Sequence, residues 1–372
     1  MKFDISSDSL KERLLVVSRV IDSNPILPIL EDFLFRVKEN SLEIVATDLE
    51  TFMTSEVEIT PSGSTGSVAI PGKILIDTLK QLPTQPITFD IDLETFSITI
   101  TSTFGQYQLA GEDGSDFPKL PVPESVDTVQ IPSALLLQGI RKTLFAISND
   151  DLRPAMTGVF VQLNSRGITL VSTDAHKLVK YTFHKVSTEA EASFIIPKKA
   201  LAVLEKALAK DDTVEISFNQ SNAFFYFKSQ IVVCRLIDAR YPDYDTVIPS
   251  VKGSVMTIAR EDLLKSLRRL SYYTNQNTNQ VKWSIKDGSV TIEAENLDFS
   301  NKAKERIPCN YDGEEMLVGF NAKFLVEMLN VMDGANVRIE LTEPNRASIL
   351  RSEEMPENED LLMLIMPLRI DA

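Results

Sequence analysis

The chain is poor in the residues that most enzymatic and metal chemistry uses. Its 372 residues include two cysteines, two histidines and one tryptophan. His176 and His184 are too few for a histidine-based metal site. Cys234 and Cys309 lie in apolar, strand-like runs, which reads as free buried thiols in a reducing cytoplasm and not as a disulfide framework. The phosphate-loop, dinucleotide and H-E-x-x-H signatures are missing. The longest apolar run, Leu361 to Met366, is far shorter than the roughly 20 residues a membrane-spanning helix needs, and Met1-Lys2-Phe3-Asp4 opens directly into alternating pattern with no leader-like segment. Asp48, Glu50 and Asp174 sit near strand ends, but Asp48 and Asp174 recur at a fixed spacing that marks them as turn residues. No nucleophile motif accompanies His176. No cofactor or metal is expected, and the chain reads as a non-enzyme. Positive charge is also scarce: the net charge is −15, which taken whole disfavours a phosphate-rich partner.

What the sequence does have is a repeat. Ile70-Pro71-Gly72-Lys73-Ile74-Leu75 returns as Ile196-Pro197-Lys198-Lys199-Ala200-Leu201 and again, more weakly, as Phe320-Asn321-Ala322-Lys323-Phe324-Leu325. The spacings are 126 and 124 residues. Each copy has Lys two places after its Pro or Asn and Leu two places later. Proline suits the first turn of a helix, where its missing N–H has no intrahelical acceptor to lose, and asparagine suits the cap. Three such starts at one period predict a triplicated domain.

The rest of the chain follows that period. Ser41 to Asp48 matches Gly167 to Asp174, and Val290 to Asn296 is a third copy. Asp116-Phe117-Pro118 has its counterpart in Tyr241-Pro242-Asp243-Tyr244. Six helices are predicted, over 8–22, 73–82, 133–148, 198–210, 260–273 and 321–333. Two helices per third, half a domain apart, hint at a second duplication inside each domain. Alternating strands with no parallel βαβ pattern predict an α+β fold of antiparallel sheets with helices on one face. The expected domains are 1–123, 124–250 and 251–372, joined by short linkers near Pro121–Pro123 and Pro249–Lys252.

The charge is segregated by element. The six predicted helices carry 16 basic and 9 acidic residues, so the remainder nets −22. Lysine and arginine are good helix formers, but so is glutamate, and glutamate is scarce on these helices. A basic helical surface carrying Lys11, Arg19, Arg141, Lys142, Lys199, Lys206, Arg268 and Arg269 is therefore expected to meet phosphates. With no zinc finger, helix-turn-helix or aromatic platform, contact would be backbone-directed and indifferent to base sequence.

These features, with Thr173-Asp174-Ala175-His176-Lys177-Leu178, Tyr241-Pro242-Asp243-Tyr244, Gly319-Phe320-Asn321 and Met366-Pro367-Leu368-Arg369-Ile370, make the full chain resemble the bacterial sliding-clamp family, the β subunit of DNA polymerase III. The resemblance implies three similar clamp domains in a head-to-tail homodimeric ring around duplex DNA, with helices lining the hole and sheets outside. It implies a tether for DNA polymerase III through its α subunit, for the clamp loader and for other proteins carrying a clamp-binding peptide. Carried over by position, the peptide cleft takes Met156, Thr173, Ala175, His176, Lys177, Leu178, Pro242, Val247, Asn321, Leu364, Met366, Pro367 and Leu368. The ring contact joins Tyr107 and Leu109 of one subunit to Tyr272 and Tyr273 of the other. Asp245 and Thr246 stand where relatives often carry Arg. Two other readings are a triplicated scaffold that binds proteins only and a hydrolase with a carboxylate site.

Overall fold

The structure, a computed structural model, describes all residues except 62, 125, 185, 187–190, 211, 251–252 and 371–372. The last two residues of the expected second linker, and the second of its flanking domain boundaries, therefore lie outside the described residues. Six α-helices occur among the described residues: α1 Ser7–Val17, α2 Gly72–Gln81, α3 Ser133–Thr143, α4 Lys198–Ala207, α5 Arg260–Ser271 and α6 Ala322–Val331. Each buries a stripe at helical spacing. In α5 that stripe is Leu263, Leu264, Leu267 and Leu270, with Glu261 and Asp262 in the first turn and Arg268 and Arg269 in the last, a charge order that complements the helix dipole.

Each third is a strand–helix–three-strand unit used twice. In the first third, Lys2–Ser6, α1 and the strands Asp32–Val37, Ser41–Thr47 and Thr51–Glu58 make one unit, with a two-residue strand at Thr60–Pro61 after it. Gly66–Pro71, α2 and the strands Pro86–Ile91, Ser97–Ser102 and Gly105–Ala110 make the other. The middle and last thirds repeat this order, so the duplication hinted at by helix spacing is present in all three.

Pro71 and Pro197 do not sit in the first turn of their helices, as the repeat predicts. Each is the final residue of the preceding strand and the cap position before its helix. Pro71 faces Asp32 at the end of the ladder between Gly66–Pro71 and Asp32–Val37. A strand terminus tolerates a residue with no N–H to give, so proline closes the strand and sets the chain direction for the helix. Asn321 does cap its helix: its Oδ1 accepts the N–H groups of Lys323 at 2.9 Å and Phe324 at 3.3 Å.

All strand pairing is antiparallel among the described residues, in sheets of five, nine and twelve strands. The nine-stranded sheet crosses from the first third into the second, because Thr51–Glu58 pairs with Gln230–Arg235, Met53 opposite Val232. The twelve-stranded sheet crosses from the second into the third, because Lys177–Phe183 pairs with Glu359–Ile365, Leu178 opposite Leu364. The chain accordingly forms two compact units, 1–137 with 196–236 and 138–195 with 237–372.

The segments that close the first and second thirds plug these seams. Phe117 packs with Leu34, Phe52, Phe224 and Val233. Tyr241 and Tyr244 pack with Val171, Leu178, Leu362 and Leu364, and the Tyr241 ring stacks on Phe160 at 4.6 Å. Burying one such side chain stabilises the fold by about 1.5–3 kcal/mol. Cys234 is fully buried, and burial pushes its thiol up to about 12. Cys309 is only half-buried, which corrects the reading of two buried thiols.

Candidate partner cleft and helix cations

The cleft residues gather in the second unit around one turn. Between Gly167–Thr173 and Lys177–Phe183, Asp174 Oδ1 accepts the N–H groups of His176 and Lys177, both at 2.9 Å. Thr173 Oγ1 donates to the Lys177 carbonyl at 2.7 Å and accepts the Ala175 N–H at 3.1 Å. Ala175 is held at φ 74°. The same device stands 126 residues earlier, where Asp48 accepts from Glu50 and Thr51, Thr47 bridges Leu49 and Thr51, and Leu49 has φ 82°. Asp48 and Asp174 are thus turn residues. The turn presents Ala175 and His176 to solvent, and the His176 ring lies 6.3 Å from that of Phe324.

Lys177 is buried. Its Nζ meets Asp174 at 2.9 Å and Glu327 at 3.1 Å and sits 4.1 Å from the centre of the Phe324 ring. It is a strut holding the turn against α6, not an exposed contact. Leu178, Leu364 and Thr173 are also buried, and the two leucines form an apolar floor with Val171, Tyr241 and Tyr244. Met156 is half-buried in the short turn Pro154–Met156 and its carbonyl accepts the Ser148 N–H at 2.9 Å. Pro242 is half-buried beside Tyr241, and Val247 is exposed. Asp245 hydrogen-bonds Lys180 at 2.9 Å. Burial pulls the Lys180 ammonium down, but Asp245 and Tyr244 outweigh it and hold its proton.

The carboxy-terminal segment is bonded to the His176 turn at one end and to the strand Met316–Asn321 at the other. Met366 N–H donates to the His176 carbonyl and Leu368 N–H to the Gly319 carbonyl, both at 2.8 Å. Met366 is exposed, while Pro367 and Leu368 are half-buried over a groove of about 510 Å³ shared with Leu317, Pro344 and Ile370. Gly319 is required there, since a Cβ would stand 2.8 Å from the Leu368 carbonyl oxygen. Asn321 is spent on capping and on a bond from its Nδ2 to the Thr278 carbonyl at 3.2 Å. These bonds support the start of α6.

The helix cations are unequal. Lys11 pairs with Asp8 at 2.5 Å. Lys199 lies between Asp22 and Asp48, each at 2.5 Å. Arg268 donates to Asn330 at 2.6 Å, and Arg269 holds Glu305 through two nitrogens at 2.8 and 2.6 Å. Arg19, Arg141 and Lys206 are exposed. Lys142 departs from expectation: its side chain is 4% exposed, its Nζ is 2.6 Å from Asp333 and it approaches the Tyr181 ring. The carboxylate at the end of α6 draws it inward, so it is a packing residue and not a phosphate contact.

Two apolar surfaces lie elsewhere. In the first unit a groove of about 730 Å³ runs between α2 and the hairpin that holds Phe104 and Tyr107, over Asp32. Ile74 and Phe104 are exposed there, and Leu109 is half-exposed on the same strand as Tyr107. In the second unit Tyr272, Tyr273, Leu297 and Phe299 are exposed. Sequence reasoning found the tyrosines but missed Asp32, Ile74, Phe104, Leu297, Phe299 and the Phe324 ring. An aromatic in a hairpin turn, Phe104, was the available signal.

Three doubled strand–helix–three-strand thirds, sharing sheets across their seams, define the DNA-clamp fold. Models of the DNA polymerase III beta subunit match in sequence order: the N-terminal domain over 1–121, the central domain over 130–243 and the C-terminal domain over 245–369. The chain belongs to the DNA polymerase III beta subunit family, and its function is that of a DNA sliding clamp. It is 27% identical over 371 residues to the beta sliding clamp of Vibrio cholerae, covering 100% of both chains. It is also 27% identical to that of Bacillus subtilis, covering 99% of this chain and 100% of that one. The crystal structure of the Bacillus subtilis DNA polymerase sliding clamp superposes with a TM-score of 0.94 at 26% identity, covering 100% of each chain. A Pseudomonas aeruginosa clamp solved with griselimycin shares the fold at TM-score 0.93 and 23% identity, again over 100% of each chain.

Proposed function

We propose that two copies join head to tail into a closed ring around duplex DNA, the first domain of each (near Tyr107 and Leu109) meeting the third domain of the other (near Tyr272 and Tyr273). The domains are 1–123, 124–250 and 251–372. Closure of a head-to-tail contact yields a ring instead of a filament. The observation that carries this reading is the segregation of charge, basic on helices and acidic on the remainder, in a chain of the clamp fold. Lys11, Arg19, Arg141, Lys199, Lys206, Arg268 and Arg269 face the phosphates. Several of them already have carboxylate partners, which keeps the attraction weak and lets the ring move along the duplex. The ring acts in the cytoplasm as a tether and not as a catalyst. DNA polymerase III, through its α subunit, the clamp loader and other proteins with a short apolar motif occupy the cleft formed by Ala175, His176, Pro242, Val247, Met156, Met366, Pro367 and Leu368 over the floor of Leu178 and Leu364. An adaptable methionine-bearing wall suits a surface shared among partners.

Retention on DNA tests the link. Clamps loaded on closed circles remain bound through gel filtration and are lost once the circle is linearised. Equal loss from both forms rejects topological linkage and favours the protein-only scaffold.

A further inference from the structure

Asp32 is 7% exposed, and its carboxyl faces the first-unit groove beside Ile74, Phe104 and Tyr107. It makes no side-chain hydrogen bond and no ion pair among the described residues. Around it stand Glu31, the last residue of the short turn Pro28–Glu31 that leads into its strand, and Glu112 on the strand beside Gly66–Pro71. Lys73 and Asp77 line the groove from α2, where Asp77 is bonded to Lys80 at 3.2 Å, and Tyr107 lines it from the hairpin. Burial, then Glu112 and Glu31, raise its carboxyl to about 6. The surface that the ring reading sets against this groove is aromatic and aliphatic. Tyr272 and Tyr273 adjoin Leu297 and Phe299, because Asn275 donates to Asp298 at 3.1 Å and Asn296 to the Thr274 carbonyl at 3.4 Å. The nearby cations are engaged with acids: Arg269 with Glu305, and Lys302 with Glu295 at 3.8 Å.

We propose that the subunit joint closes over Asp32 in its protonated form, so that ring closure takes up a proton and the ring opens more readily as pH rises. This rests on the ring reading above. An apolar cover removes the remaining water from a carboxyl that forms no ion pair, Lys73 lining the same groove without bonding to it, and so favours the neutral acid. The neutral acid can hydrogen-bond a tyrosine hydroxyl from Tyr272 or Tyr273 of the partner subunit. The sign follows from linkage. The carboxyl binds its proton more tightly in the closed joint than in the open subunit. Association is therefore full strength below the open-state value and weakens as pH climbs from there toward the closed-state value.

Dimer dissociation is measured by sedimentation at pH 6, 7 and 8 for the full chain and for Asp32→Asn, which keeps the shape and removes the charge. The wild-type dissociation constant rises by up to about a hundredfold per pH unit, the limit for two linked protons, one at each of the two joints that dissociation opens. Asp32→Asn loses that slope and dimerises more tightly than wild type at pH 8. Melting of each protein at pH 8 verifies that the variant folds, and Asp32→Ser provides the same charge test if the amide does not. A wild-type dimer indifferent to pH, or a variant with the wild-type slope, overturns the proton-linked joint and leaves the ring intact. A chain that is monomeric at every pH and concentration overturns the ring reading itself.

Discussion

Single side chains divide between those that hold the site and those that meet an occupant. Lys142 and Arg141 are sequence neighbours, both basic and both on α3, yet one is buried against Asp333 and the other is exposed. Lys142→Ala should lower stability by about 2 kcal/mol, the scale of a hydrogen bond to a charged group, and leave the salt dependence of DNA association unchanged. Arg141→Ala should do the reverse and reduce the salt slope by about one. Chemical denaturation and salt-titrated binding separate the two. Asn321→Ala removes the α6 cap and should destabilise by about 1 kcal/mol, read as a lower melting temperature, while direct peptide contacts are kept. None of this was legible in composition, because Lys142 reads as a surface residue until Asp333, 191 positions away, is brought to it.

Helices and strands were far more legible, because periodicity is local. All six helix starts fall within a residue of those predicted, three from the repeat and three from apolar periodicity, and their ends run short of the prediction: α4 stops at Ala207, not at 210. The turn shared by Asp48 and Asp174 was visible as a repeat, since a side chain that caps its own loop needs no distant partner. The groove over Asp32 was not visible, because it depends on α2 packing beside the Phe104 hairpin. At the carboxy terminus, the strand Glu359–Ile365 stops before Met366, although the apolar run of the sequence includes Met366. This boundary makes truncation informative. Removing 366–372 deletes the cleft wall and leaves the ladder from Lys177↔Ile365 to Phe183↔Glu359 complete. Binding of a polymerase-derived peptide should be abolished while dimerisation persists; unchanged peptide affinity would remove Met366, Pro367 and Leu368 from the cleft.

For the molecule as a whole, the three sequence repeats and the two compact units are different partitions of one chain. The middle repeat contributes strands to both units, so neither end third is an independent lobe on a string. Thr51–Glu58 is laced to Gln230–Arg235, with Phe117 and Val233 in the core behind them. A protease that nicks the exposed proline segment at 121–123 should therefore cut the chain without releasing a fragment. The two pieces would co-migrate on a native gel and separate only in denaturant. On the proposed ring, a covalent break inside a subunit would then leave a working hoop, and parting to admit a chromosome would fall to the contact between subunits.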